Sequence, residues 1–305
     1  MKAFNLPSLL TVLLTFGVSA KAVEPITVVE APDRLLLSQG GEPLGEFLFD
    51  HPKLLRPGFA NLRAPGGIQV TRTFPPVEGI DATDHADMHP GLWLGFGDIS
   101  GEDFWRNKGT IRHDRFLEKA TWKDGQLTFA SESTLVTSEG VSLAGMINRF
   151  TLRPQDRTLR LEWDAAITPT TDGFYFGDQE EMGLGARVAT AIIEKNGGII
   201  TSSSGLTTAA KTWGQPAKWC DYSGVMNGRR AGVLIIPDPG NPQPSWWHNR
   251  DYGFFAANAF GRKAMTQGET SRIEVKRGET YRIKYAVILY ALEKGNKIDL
   301  KRLAE

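Results

Sequence analysis

Four stretches of this chain carry residues able to do chemistry. The first is Asp84-His85-Ala86-Asp87-Met88-His89-Pro90-Gly91-Leu92-Trp93, which holds two of the five histidines, four residues apart. Imidazoles exchange protons near neutral pH, and with carboxylates they can also hold a metal ion or a sugar hydroxyl. On a helix this spacing would put both rings on one face. Pro90-Gly91 and the strand-like surroundings argue for a loop or strand, on which His85, Asp87 and His89 would share a side. The structural alternative is a polar loop whose histidines cap turns.

The second stretch runs from Gly95 to Trp105, where Trp93 and Trp105 bracket Asp98, Glu102 and Asp103. Aromatic faces beside carboxylates suit sugars: C–H groups stack on the ring and the carboxylates accept hydroxyl protons. A tryptophan core with surface acids would look the same residue by residue. The third stretch, Phe174 to Arg187, contains Glu180 and Glu181. On a strand these neighbours face opposite ways, so one of them is expected in a site. A carboxyl in an apolar pocket has a raised pKa and can act as acid or base; Arg187 would hold a neighbouring acid charged. The alternative is a solvated acidic turn. The fourth stretch joins Trp219-Cys220-Asp221-Tyr222 to Trp246-Trp247-His248-Asn249-Arg250-Asp251-Tyr252. These tryptophans have polar neighbours, which favours an amphipathic groove over a core.

These clusters need a scaffold, and the pattern between them is strands. Arg157–Thr168 alternates, with Leu159, Leu161, Trp163, Ala165 and Ile167 opposite Arg160, Glu162 and Asp164. Tyr281–Leu292 has the same period, then becomes apolar on both faces from Ala286. Strands are also expected at Gln126–Thr137, Val141–Arg153, Gly67–Thr73, Ala231–Pro237 and Arg272–Lys276, separated by turns such as Lys123-Asp124-Gly125. One short helix is expected near Lys297–Ala304. The expected architecture is all-β: a single antiparallel β-sandwich over residues 23–305.

Composition narrows the function. The 305 residues balance 35 basic against 35 acidic side chains, which excludes nucleic-acid binding by bulk phosphate neutralisation. Lys2 followed by the apolar run Leu9–Ala20 and the small-x-small Ala20-Lys21-Ala22 reads as an export signal, cut after Ala22. Loss of Lys2 and Lys21 leaves 33 basic against 35 acidic groups, a net charge of −2. No later apolar run approaches the roughly 20 residues that span a bilayer. Cys220, the single cysteine, reads as a packed thiol. His51 reads as a turn residue, and His113 as part of an alternating strand.

The segments RPGFANLRAPGGIQVTRTFPP and DHADMHPGLWLGFGDISGEDFW, then GDQEEMGLGARVA, WCDYSG and WWHNRDYG, resemble in order the bacterial family labelled PmoA, or methane oxygenase-like. The label does not carry the chemistry, because particulate methane oxygenase subunits are integral membrane proteins. The resemblance implies a galactose mutarotase-like β-sandwich, whose members use a histidine as acid and a carboxylate as base at the anomeric centre of a sugar.

Together these readings point to an exported, periplasmic or extracellular carbohydrate-active protein of epimerase, lyase or hydrolase type. His85 or His89 would donate a proton, and Glu180 or Glu181 would remove one. Asp98 and Arg187 would orient hydroxyls. Trp93, Trp219 and Trp246 would form stacking walls, with Trp105, Asp221, His248, Arg250 and Tyr252 as further contacts. His89→Ala is expected to abolish turnover and leave folding intact. The expected partner is a carbohydrate or glycoside, with no cofactor. The alternatives are a non-catalytic sugar-binding protein and a metal centre built on His85, His89 and either His248 or a glutamate.

Overall fold

Two eight-stranded antiparallel sheets dominate this computed structural model. It describes Met1 and residues 23–155, 157–265, 268–293 and 299–304. Apart from Met1, the expected export signal lies outside the described residues, as do Lys297 and Ile298 of the expected helix. The helix that is described is Leu300–Ala304.

The second sheet holds the clearest alternation. Strand Thr158–Pro169 buries Leu159, Leu161, Trp163, Ala165 and Ile167, and lies between Ser142–Gln155 and Tyr281–Leu292. Gln126–Val136 and Thr110–Lys123 extend the sheet on one side; Arg229–Pro237, Cys220–Met226 and Ile199–Ser202 extend it on the other. His113 sits half-buried on the edge strand, between Phe49 and Phe116.

The first sheet runs Ile26–Glu30, Arg34–Gln39, Glu42–Leu48, Gly58–Ala60, Gly91–Phe96, Met182–Arg187, Phe254–Asn258 and Trp246–Asn249. One apolar cluster from Ile26 to Ala291 fills the space between the sheets. Leu92, Leu94, Phe96, Leu184 and Ala186 point into it. Their alternate neighbours point outward, yet Gly91–Phe96 and Met182–Arg187 are buried on both faces. The outer face of the first sheet is therefore covered.

The strand expected at Gly67–Thr73 shrinks to Ile68–Gln69, paired with Arg63–Ala64. Gly66 and Gly67 have φ of +88° and +80° and reverse the chain there. Beyond them the Val70 N–H turns to Leu62 O and the Arg72 N–H to Arg187 O, so no continuous partner strand forms. Among the described residues no helix is long and apolar enough to cross a membrane.

Candidate acid–base site

Strand register decides what stands on the outer face of the first sheet. Gly58 pairs with Trp93, Trp93 with Gly185, Gly185 with Ala256, and Ala256 with His248. One indole thus stands in a row of small residues that ends in a histidine. A Cβ on Gly185 would lie 2.8 Å from both Trp93 Cζ2 and Trp105 Cη2, so the missing side chain lets both indoles lie down on the sheet. Trp93 and Trp105 meet edge to face at 5.3 Å, and Phe254 completes the layer. All three are buried.

His89 lies on this layer, stacked on Trp93 at 4.4 Å and on Phe254 at 5.1 Å. His85 stacks on His89 at 4.8 Å. The spacing works as on a helix: the His89 N–H donates to His85 O at 2.9 Å, closing one helical turn. The segment is a loop, one of the two expected forms, but this single turn and not strand alternation brings the two rings together. His85 begins the turn in the left-handed region, at φ +52°.

Two buried arginines hold the turn. Arg72 donates to the carbonyls of Ala82 and Asp84 at 2.8 Å and of His89 at 3.1 Å. Arg56 donates to Met88 O, to Trp105 O at 2.7 Å and to Asn107 Oδ1 at 3.1 Å, tying the turn to the loop after Gly97. Burial draws Arg56 and Arg72 down to about 10, still charged at neutral pH.

Charge leads outward from the sheet through a chain of contacts. Arg187, buried, donates to both oxygens of Asp84 at 2.9 and 2.8 Å. Asp84 Oδ2 lies 2.7 Å from His85 Nδ1. Burial raises the Asp84 carboxyl, but the Arg187 and His85 hydrogen bonds and the Arg187 and Arg72 charges outweigh it and bring it to about 2. An ionised Asp84 accepts a hydrogen bond from Nδ1–H, which leaves the lone pair of His85 on Nε2.

Glu180 and Glu181 splay apart. The Glu180 carboxylate meets Arg250 at 3.3 Å and lies 3.9 Å from His248 Nε2; its carbonyl lies 2.9 Å from His248 Nδ1. Glu181 pairs with Arg106. Burial pushes the Glu181 carboxyl up; Arg106 and His85 are among the charges that pull it back. Tyr252 carries the Arg187 guanidinium over its ring at 4.5 Å and senses Asp84 and Glu181. His85 and Asp84 are exposed and Glu180, Glu181, Arg106, Arg250 and Tyr252 are half-buried, so they form the surface of the patch.

Several expected site residues stand elsewhere or play other parts. His89 is 2 % exposed and neither ring nitrogen has a partner among the described residues. Burial holds it far below the usual histidine range, so it is a neutral ring under His85 and not a proton donor at the surface. Trp93 and Trp105 form the floor and are covered, so they offer no face to a ligand. Asp98 closes a tight turn, accepting from the Gly101 N–H at 2.8 Å. Trp246 is on the same face as His248, with Arg262 over its ring at 4.6 Å. Trp219 packs with Leu234, Ile236 and Ile288 on the outer face of the second sheet. Asp221 lies buried there as well, accepting from Ser223 and Tyr290 at 2.8 Å. Cys220 is buried, and burial raises its thiol. Asp84, Arg56, Arg72 and Phe254 are members the sequence reading did not assign; a lone arginine in a Gly/Pro-rich stretch carries no periodic signal.

The metal reading does not fit. Among the described residues no group of three or more His, Cys, Asp or Glu side chains is disposed around an ion position. The rings of His85 and His89 stack within 19° of parallel, and in-plane lone pairs of stacked rings do not converge.

A family model described as a family of unknown function, DUF6807, matches residues 34–299. The chain belongs to that family. Every residue of the patch lies within the matched span. No curated protein matches the chain. Among solved structures, a galactose mutarotase-like protein from Lactobacillus casei is similar at 10 % identity and a TM-score of 0.40, covering 87 % of this chain and 100 % of that one. An alpha-galactosidase from Lactobacillus brevis is similar at 8 % identity and a TM-score of 0.41, covering 88 % of this chain and 40 % of that one. A galactose mutarotase related enzyme from Lactobacillus acidophilus is similar at 9 % identity and a TM-score of 0.34, covering 90 % and 100 %.

Proposed function

We propose that the outer face of the first sheet binds a carbohydrate and moves protons on it, with His85 and Glu181 as the acid–base pair. The observation that carries this reading is the chain Arg187–Asp84–His85, with hydrogen bonds of 2.7 to 2.9 Å, set beside a carboxyl that burial has raised. Asp84 fixes the tautomer of His85, so Nε2 accepts a proton from a sugar hydroxyl or ring carbon. Glu181, whose carboxyl burial pushes up, is the group that would donate one to a ring or glycosidic oxygen. Arg106 and Arg250 supply hydroxyl-binding donors, and half-buried Tyr252 supplies the apolar face on which a sugar ring stacks. Epimerisation, elimination and hydrolysis all draw on such a pair. The oxygenase label attached to the sequence resemblance is not part of this proposal.

The reading also takes residues 23–305 as one exported body, in the periplasm or outside the cell, because the first 22 residues have the composition of a cleaved signal. An intact mass of secreted protein beginning at Val23 supports export; protein retained in the cytoplasm with Met1 opposes it.

Saturation-transfer NMR with neutral mono- and disaccharides tests the binding half. Ring protons of a bound sugar should show transfer that Tyr252→Ala and Arg250→Ala remove. No transfer from any sugar, or transfer indifferent to both changes, counts against the patch.

A further inference from the structure

A cavity lies away from the His85 patch, and the proposed chemistry does not use it. Its volume is about 810 Å³, room for a ligand of several rings. It opens where the outer face of the second sheet meets the C-terminal helix. Trp219, Ile236, Pro216, Pro237, Pro239 and Pro244 form its walls. Proline has no backbone N–H and a fixed φ, so these walls are apolar and preformed. Trp219 is half-buried and packs on the cluster of Leu234, Ile236, Ala286 and Ile288, on which Leu300, Leu303 and Ala304 of the helix also pack.

The charged groups lining this cavity are cationic in balance, beside the uncharged polar Ser203, Asn241, Gln243 and Ser245. Lys218 and Lys301 stand at its rim with one acid, Asp238. Asp238 is engaged locally, accepting from the Gly240 N–H at 2.7 Å. Lysine ion pairs among the described residues are Lys195–Asp251 and Lys284–Asp164, so both rim ammonium groups are left without a carboxylate there. Ser245, 3 % exposed, lines the cavity, and its hydroxyl has no partner among the described residues.

We propose that this cavity is a binding site for an amphipathic organic anion: a flat apolar body against Trp219 and the prolines, with its acid group between Lys218 and Lys301. A neutral sugar would leave both ammonium groups unanswered and would find mostly apolar wall. The site is independent of the acid–base reading, since none of its lining residues belongs to that patch.

Two fluorescent probes of nearly the same shape separate shape from charge: 8-anilinonaphthalene-1-sulfonate and the uncharged N-phenyl-1-naphthylamine. The full chain should bind the sulfonate at one site. Trp219→Ala should weaken both probes about tenfold or more. The double variant Lys218→Gln/Lys301→Gln, at exposed positions where folding is not at stake, should weaken the sulfonate about tenfold and leave the neutral probe within twofold. Equal loss for both probes in the double variant, or no loss for the sulfonate, overturns the anion assignment. Sulfonate binding that Trp219→Ala leaves unchanged overturns the cavity itself.

Discussion

The Asp84 carboxylate meets the Arg187 guanidinium end on, with oxygens 2.8 and 2.9 Å from its two terminal nitrogens. Arg187 is buried and Asp84 is partly exposed, so one acid at the surface neutralises charge rooted in the sheet. Arg72 adds a second buried guanidinium, 3.7 Å from Asp84. Removing the acid would leave two positive charges facing each other. Asp84→Asn should therefore cost about 2–3 kcal/mol, below the roughly 3–5 for breaking a fully buried pair because water reaches Asp84. Urea unfolding measures it, and a change below about 0.5 kcal/mol would contradict the arrangement.

The pH dependence of stability should show two stages. Burial draws His248 down to about 3 and holds His89 far below its ordinary value. Both take up protons on unfolding, so their contribution is complete above about pH 6.5 and is lost as pH falls below it, by up to about 1.4 kcal/mol per pH unit for each. The Asp84 carboxyl is brought to about 2, so its share is complete above about pH 4 and is lost between there and pH 2. Urea midpoints from pH 8 to 2.5 should fall in both ranges for the parent protein. Asp84→Asn should keep the fall below pH 6.5 that the imidazoles cause and should fall less steeply than the parent below about pH 4. A flat profile between pH 6.5 and 4 would oppose the buried neutral imidazoles.

His89 should behave as a packing residue. His89→Ala removes a ring stacked on three others and should cost about 3 kcal/mol, as large-to-small core changes do. His89→Phe keeps a ring, discards two unpartnered nitrogens, and should cost less than about 1.5 kcal/mol. If the phenylalanine variant is the less stable of the two, His89 bonds something polar. This reverses the sequence-based expectation that His89→Ala leaves folding intact.

Gly185→Ala probes the indole floor. The added methyl would press on both Trp93 and Trp105 and should cost about 1–3 kcal/mol, as overpacking does. Near-ultraviolet circular dichroism should change with it. An unchanged tryptophan signal at unchanged stability would mean the indoles do not rest on Gly185.

Period-two alternation made the second sheet legible: Thr158–Pro169 and Tyr281–Leu292 fall within a residue of where the pattern put them. Gly91–Phe96 and Met182–Arg187 are buried on both faces, so no alternation announced them. Alternation also names a face without naming a sheet. Trp219 and Asp221 were grouped with Trp246 and His248 by their polar company, but Cys220–Met226 runs in the second sheet and Trp246–Asn249 in the first. His85, Glu181, Arg187 and Tyr252 were visible as types. Their convergence depends on cross-strand register and on Arg56 and Arg72 binding loop carbonyls, which spacing along a chain does not encode.

The acid–base claim meets its most direct test in time-resolved proton NMR of a panel of sugars and glycosides in deuterated buffer, with the parent protein, His85→Ala and Glu181→Gln side by side. The account expects the parent to convert at least one substrate. It expects each variant to fold normally and convert that substrate at least about 100-fold more slowly, as loss of a general acid or base requires. Conversion at the parent rate by His85→Ala, or no change in any sugar with the parent protein, would contradict it.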